Sequence, residues 1–401
     1  MIIYNHDCRR MTELEDNSVQ CVVTSPPYWG LRKYAGEQDL IWTDNWRGAY
    51  GLEPSPELYV QHTIEILREI RRVLRKDGVM FWNIGDSYMG SGCGTNDYRT
   101  EASRSINKTD KYFTKQPPQQ KRHSILKPKD LCLIPFRVAL AVQADGWWVR
   151  SVIIWSKQNP MPESVKDRPT ESHEYILLLT KSAKYYWDME AVREAAQPES
   201  YTRYESGFKM PKHRARKEQG YNSFLNDTPE LNPAGRNIRS VWTFATQPYP
   251  EAHFATFPEA LPEKCIKAGS SEKGCCPKCG NPWERVVEKI KSKPRTVVSP
   301  HAAPPGQRAQ GSLSYERYDK TAELQTIGWQ PSCKCDAGKP VPSIVLDPFA
   351  GAGTTLIVAE RLGRTGIGYE LSSEYCKLIE TRYKQNLPKI EKARAQLRLI
   401  P

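Results

Sequence analysis

Apolar positions along the chain follow two spacings. Val19–Thr24 is an almost unbroken apolar run, the pattern of a strand buried on both faces. Ser25-Pro26-Pro27-Tyr28 must end it, because two prolines cannot continue a sheet ladder. Residues 1–24 therefore read as strand, short helix, strand. Leu58, Ile64, Leu67, Ile70, Val73 and Leu74 recur at helical spacing, which predicts a helix over 56–75 closed by Asp77-Gly78. Val79–Ile84 is a further buried strand ended by Gly85-Asp86. A helix near 131–144 follows, then strands at Trp147–Trp155 and Glu174–Thr180 and a short one at Tyr185–Trp187. The last segment is the most regular: strand Ser343–Leu346, a glycine-rich turn, helix Thr354–Leu362, strand Thr365–Tyr369, helix 373–386. Strand and helix alternate at both ends, which predicts an α/β sheet assembled from the two ends of the chain.

The stretches between are polar. The expected organisation is one domain from 1–190, 250–270 and 340–390, carrying a basic loop at 87–130, a second polar region at 191–250 and a cysteine-bearing insertion at 271–339. In 401 residues there are 11 Trp, 20 Tyr and 9 Phe, enough to build a core and to exclude wholesale disorder. No apolar run reaches the roughly 18 residues of a membrane span. Met1–Asp7 shows no basic segment followed by an apolar core, so neither a secretory signal nor a membrane partner is expected. The net charge of +12 points to a polyanionic partner. Between Arg99 and Lys129 nine Lys/Arg stand against two Asp/Glu, and 203–217 is also basic. Aromatics interleave with both (Tyr98, Tyr112, Phe113, Tyr201, Tyr204, Phe208). Phosphate contact is the functional reading, and a solvated loop the plain one.

Asp347-Pro348-Phe349-Ala350-Gly351-Ala352-Gly353-Thr354-Thr355 joins a buried strand to a helix. Small residues there let a ligand approach the backbone at the carboxyl end of the strand. Glu370 ends the next strand, 23 residues after Asp347, where an acid can accept hydrogen bonds from two ribose hydroxyls. A dinucleotide fingerprint would need glycine where Leu356 stands, so that match fails.

The Ser25–Tyr28 turn offers a different chemistry. Its prolines hold the chain rigid, and their carbonyls lack neighbouring N–H partners, so they are expected to face outward as acceptors. Ser25 adds a hydroxyl and Tyr28 a flat ring. These groups suit a planar base with an exocyclic amine, whose lone pair is conjugated and poorly nucleophilic. Acceptors on the amino hydrogens favour the reactive pyramidal form while the ring stacks on Tyr28. No cysteine stands in the turn, which speaks against the covalent route of carbon-5 methylation.

Six of the 11 cysteines fall between 265 and 335. Cys276-Pro-Lys-Cys279-Gly280 has the form of a zinc knuckle, and Cys333-Lys-Cys335 supplies a second, tighter pair. Four thiolates make a closed structural zinc site resembling a small zinc ribbon. Unrelated free thiols are the alternative. Cys275 could replace Cys276 but gives a less favourable spacing.

Thr24–Tyr28 near one end and Asp347–Thr355 near the other resemble the two signature motifs of the amino-DNA methyltransferases. Their order resembles the permuted β group. The resemblance covers 1–34, 56–86, 147–188 and 250–386. It implies a Rossmann-like, seven-stranded methyltransferase sheet with polar insertions, S-adenosylmethionine as methyl donor, and a base flipped out of double-stranded DNA. Ser25, Pro26, Pro27 and Tyr28 would be catalytic. Asp347, Phe349, Gly351 and Gly353 would shape the cofactor pocket, with Thr354 and Thr355 at a helix N-terminus suited to a carboxylate. Glu370 would take the ribose, and Asp7 and Cys8 would lie beside the adenine. Phe254–Pro258, with Phe257, resembles the segment that closes over the methionine end, and a plain loop is the alternative. Serine in the catalytic turn resembles the cytosine-N4 enzymes more than the adenine-N6 enzymes, which usually carry Asp there. The expectation is thus a cytoplasmic restriction–modification methyltransferase of a prokaryotic or phage-infected cell, alongside a cognate nuclease. Adenine-N6 transfer, an RNA methyltransferase, and a zinc-ribbon DNA-binding protein with an inactive methyltransferase fold are the competing readings.

Overall fold

The computed structural model describes residues 1–30, 38–90, 123–194, 235–247, 257–290, 294–299, 313–318, 323–336 and 338–397. The basic stretch at 99–122, that at 203–217, and Phe254 lie outside them. The chain divides into two compact units: Met1–Asp188 with Arg239–Glu284 and Pro331–Pro401, and Met189–Ile238 with Arg285–Gln330.

The first unit is built on β1 (Ile2–Tyr4), β2 (Val19–Thr24), β5 (Leu74–Ile84), β6 (Trp148–Lys157), β7 (His173–Thr180), β8 (Val241–Phe244), β13 (Ile344–Asp347) and β14 (Thr365–Tyr369). They form one sheet in the order β1-β14-β13-β2-β5-β7-β6-β8. β7 runs antiparallel to both neighbours; every other pair is parallel. The hairpin β3 (Leu40–Ile41) and β4 (Arg47–Gly48) stands apart.

Helices α1 (Pro56–Val73) and α2 (Ile134–Ala144) pack together, α1 on β5 and α2 on β6 and β7; α3 (Ala260–Gly269), α4 (Thr354–Arg361) and α5 (Ser373–Leu397) form a second packed set. α1 begins where Ser55 Oγ accepts from the Leu58 N–H and Pro56 opens the first turn; Tyr59, Ile66, Leu67, Ile70 and Val73 are its buried stripe. Gly366 lets α4 settle on β14: a Cβ there would lie 3.0 Å from the Leu356 backbone. The sheet reverses direction of winding between β13 and β2. Open α/β sheets bind ligands at the carboxyl ends of strands at such a switch point.

Among its described residues the second unit holds a 3-10 turn at Glu190–Val192, tied by Arg193 to Glu190 at 2.6 Å, and most of two two-stranded ribbons. These are β10 (Pro294–Ser299), antiparallel to β11 (Leu313–Tyr318), and β9 (Trp283–Ile290) with β12 (Glu323–Pro331).

Several expectations need correction. Among the described residues the sheet has eight strands rather than seven. β8 is a four-residue edge strand with one buried side chain, too short to register as a period. Residues 5–18 form turns, not a helix; Met11 and Leu14 are their main apolar anchors, and Arg72 of α1 binds the Met11 and Leu14 carbonyls. α1 ends at Val73, and Asp77-Gly78 lies inside β5 instead of closing the helix. Tyr185–Trp187 is irregular. α5 continues through Pro388 to Leu397, because Ile390 is buried and Arg394 binds Glu360 at 2.5 Å.

Candidate active site

Two turns meet at the switch point, joined by a contact between residues 323 apart in sequence. Thr24, the last residue of β2, donates its hydroxyl to Asp347 Oδ1 at 2.6 Å, and the Phe349 N–H donates to the same oxygen at 3.1 Å. Burial pushes the Asp347 carboxyl up to about 6. A single cleft opens over this junction. Its lining includes Ser25 and Pro27 from one turn, Asp347, Phe349, Gly351 and Thr354 from the other, and Asp7, Cys8, Phe257 and Glu370.

Glu370 sits where β14 ends. The Gly351 N–H donates to Oε2 and the Ser372 N–H to Oε1, each at 2.9 Å. Both oxygens thus have one fixed donor and spare lone pairs. Desolvation pushes this carboxyl up to about 7. Asp7 is held by the Arg9 N–H at 2.9 Å and its guanidinium at 2.6 Å. The Cys8 thiol is pushed well up by burial, so it is a neutral packing group. An aromatic wall closes one side: Tyr50 stacks on Phe349 at 5.7 Å and on Tyr59 at 4.9 Å.

Some sequence-derived residues have their polar groups engaged elsewhere. Thr355 is fully buried and its hydroxyl donates to the Val23 carbonyl at 3.2 Å. The Thr354 hydroxyl accepts from Arg382 at 2.8 Å. Gly353 caps α4 at φ 73°, and a Cβ there would strike Ile379 at 2.7 Å. Pro26 is buried, and the Pro27 carbonyl is not left free as expected: Tyr59 donates its hydroxyl to it at 3.0 Å.

The Ser25–Tyr28 turn carries a polar network that the sequence did not reveal. Ser25 Oγ donates to Tyr28 Oη at 3.1 Å, and Tyr28 donates to Glu174 Oε2 at 2.6 Å. Asn83 Nδ2 donates to Tyr28 Oη at 2.7 Å and Glu174 Oε2 at 2.8 Å. Lys157 Nζ pairs with Glu174 Oε1 at 2.6 Å. The Tyr28 ring lies on Gly85, where a Cβ would come within 2.8 Å of it. Polar residues at the ends of predicted strands were the only available signal; which ends adjoin depends on the sheet order.

This chain matches the family model described as DNA methylase, of the N6/N4 type, over residues 19–276 and 337–381. The chain belongs to the N6/N4 DNA methylase family. It is 33% identical over 377 residues to the Type II methyltransferase M.SmaI of Serratia marcescens, covering 94% of this chain and 88% of that one. It is 39% identical over 260 residues to M.Cfr9I of Citrobacter freundii, covering 65% and 69%. Among solved structures, the PvuII DNA methyltransferase (cytosine-N4-specific) aligns over 98% of this chain and 91% of its own, at 14% identity and a TM-score of 0.49. As a member of the N6/N4 family the protein is an S-adenosylmethionine-dependent DNA methyltransferase acting on an exocyclic amine.

The cleft of this N6/N4 methylase fits that donor. A desolvated acid with spare lone pairs, an aromatic wall and an open glycine backbone at Gly351 match a ribose diol, a flat base and a close-approaching chain. Beyond Phe349 O at 3.8 Å, a Cβ at Gly351 would meet nothing.

Away from the cleft, the thiols of Cys276, Cys279, Cys333 and Cys335 lie within 4.8 Å of one another. A zinc tetrahedron with ~2.3 Å bonds needs sulfurs about 3.8 Å apart, so the set fits with small closure. Backbone N–H groups of Cys279 and Lys278 hold the Cys276 thiol low, at about 7. Cys275 is engaged instead with the Val341 backbone. All four thiols belong to the sheet-bearing unit. Arg75 of β5 ties the knuckle down, donating to the Cys279 carbonyl at 2.6 Å and Asn281 Oδ1 at 2.7 Å. Among the described residues no helix is long and apolar enough to cross a membrane.

Proposed function

We propose that the protein methylates N4 of cytosine at a specific site in double-stranded DNA, on a base turned out of the helix. The observation that carries the reading is the serine at position 25, at the lip of the cleft that also holds Asp347 and Glu370. A hydroxyl can accept from one amino hydrogen while a proline carbonyl accepts from the other, which draws the nitrogen toward the pyramidal form. The Pro26 carbonyl is the acceptor we assign, since the Pro27 carbonyl is already bound to Tyr59. The Tyr28 ring would stack on the base.

In the same reading S-adenosylmethionine supplies the methyl group. Glu370 takes its ribose hydroxyls, Asp7 and Cys8 flank its adenine, Phe349 and Phe257 cover it, and the Gly351–Thr354 turn receives its methionine end. A structural zinc ion is held by Cys276, Cys279, Cys333 and Cys335. The basic segments hold DNA phosphates, and 191–250 contributes to target choice. The relatives' Type II class supports a cognate restriction endonuclease in the same cell.

The test is to express the protein in a host lacking DNA methylation and hydrolyse the DNA to nucleosides. N4-methylcytosine is the expected product. N6-methyladenine would replace the cytosine reading with its closest competitor, and methylated RNA with unmodified DNA would overturn both.

A further inference from the structure

Methylating an exocyclic amine leaves a proton that must go somewhere, and the turn holds a path for it. We propose that Glu174 receives this proton through Tyr28 and Ser25, as a positioning residue that acts without touching the base. The proposal rests on Ser25 being the group that meets the target amine.

The hydrogen bonds all run one way. Ser25 Oγ donates to Tyr28 Oη at 3.1 Å and Tyr28 Oη donates to Glu174 Oε2 at 2.6 Å. Glu174 is a pure acceptor when ionised, so the direction of the chain is fixed by its end. The same constraint orients Asn83: its Nδ2 contacts both Tyr28 and Glu174, and a flipped amide would set its oxygen against the carboxylate. Lys157 binds the other carboxylate oxygen at 2.6 Å and holds the carboxyl group in place. Ser25 reaches the cleft, while Glu174 and Lys157 come from β7 and β6 behind the turn.

In the step, a C–N bond forms at the amine as the donor's C–S bond breaks, its electron pair staying on sulfur. As the C–N bond forms, one N–H bond of the amine breaks toward Ser25 Oγ. The Ser25 proton passes to Tyr28 Oη, and the Tyr28 proton to Glu174 Oε2. Charge balances: the cationic donor becomes neutral and one proton is left on Glu174, from which it exchanges with solvent. Movement of the proton with the methyl keeps positive charge from accumulating on the base.

Tyr28→Phe keeps the ring and removes the wire; Glu174→Gln keeps the shape and an acceptor for Tyr28 but cannot take a proton. The full-length enzyme and both variants, with the double variant, are compared in single-turnover methyl transfer in H2O and D2O, with the product base identified. Each single change should slow transfer on the order of 10²-fold. The double variant should be no slower than the slower single one, because the residues act as one unit. The wild type should show a solvent isotope effect that both variants lose, and S-adenosylmethionine affinity by calorimetry should stay unchanged. A Glu174→Gln enzyme within twofold of wild type, or a slow one that keeps the isotope effect, overturns the relay while leaving the functional reading intact. A wild type that methylates no exocyclic amine overturns both.

Discussion

In the proposed function Glu370 has a proton to lose before it can accept from ribose hydroxyls. Desolvation pushes its carboxyl up to about 7, and Asp347 to about 6. Both native values exceed those of the unfolded chain. Between roughly pH 4 and 7 the native state therefore binds more protons than the unfolded one, and stability declines as pH rises through that window. Ribose hydroxyls donate, so they favour the ionised form. Cofactor affinity should then rise with pH, by up to about tenfold per unit below the Glu370 value, and level off above it. Titration calorimetry from pH 5.5 to 8.5 should show proton release at the acid end. Glu370→Gln should bind weakly and lose most of that slope; a wild-type slope in this variant would remove the assignment. That Asp347, Glu370 and Ser25 line one cleft was foreshadowed by sequence, because each stands where a predicted strand meets a turn. Glu174, Lys157 and Asn83 were not, since an acid at the start of one strand and a lysine at the end of another become partners only after β7 inserts between β5 and β6.

Two glycines of one turn separate binding from folding. Gly351 and Gly353 both have positive φ, at 51° and 73°. A methyl at Gly353 strikes Ile379 of α5, whereas one at Gly351 meets only the Phe349 carbonyl at 3.8 Å. Gly353→Ala should cost about 1–3 kcal/mol of stability through strain and overpacking at the start of α4. Gly351→Ala should cost only the left-handed penalty, roughly 1–2 kcal/mol, yet weaken cofactor binding more. Urea midpoints at constant m, read beside calorimetric affinities, check the pair; equal losses in both columns for both variants would contradict the division. The sequence could not draw this distinction, because the two glycines differ only in what α5 brings near them. Element identity was clearer: β2, α1, α4 and β14 were visible from long apolar runs and helical spacing. The misses were the short or interrupted pieces, where tertiary bonds decide. Arg72 organises the turns of 5–18, and Arg394 with Ile390 carries α5 past Pro388.

At the scale of the molecule, the two ends of the chain were legible as one sheet, and the four cysteines as one cluster. Its placement was not legible, because Arg75 lies inside a strand and nothing in its neighbours marks it as an anchor. That guanidinium is nearly buried, is paired with Asp77 at 2.8 Å, and reaches both the Cys279 carbonyl and Asn281. Gly280 is needed beneath it: a Cβ there would lie 2.5 Å from the guanidinium. A metal that closes the thiol cluster would therefore brace β5 from the side, at the end of the strand opposite Asn83. The protein should carry about one zinc per chain, and the binding energy is then folding energy. Cys279→Ser and Cys335→Ser should each lose the ion. Both should cut the unfolding midpoint and open the neighbourhood of 270–340 to protease, while a saturating cofactor analogue still binds to the folded fraction. Arg75→Met should keep the zinc and lose stability, because it frees the knuckle without touching a thiolate. Elemental analysis, limited proteolysis and thermal melts on the three variants separate these effects. A metal-free native protein of unchanged stability would show the four thiols to be a packing accident, and zinc loss in Arg75→Met would show that the arginine shapes the site itself rather than anchoring it.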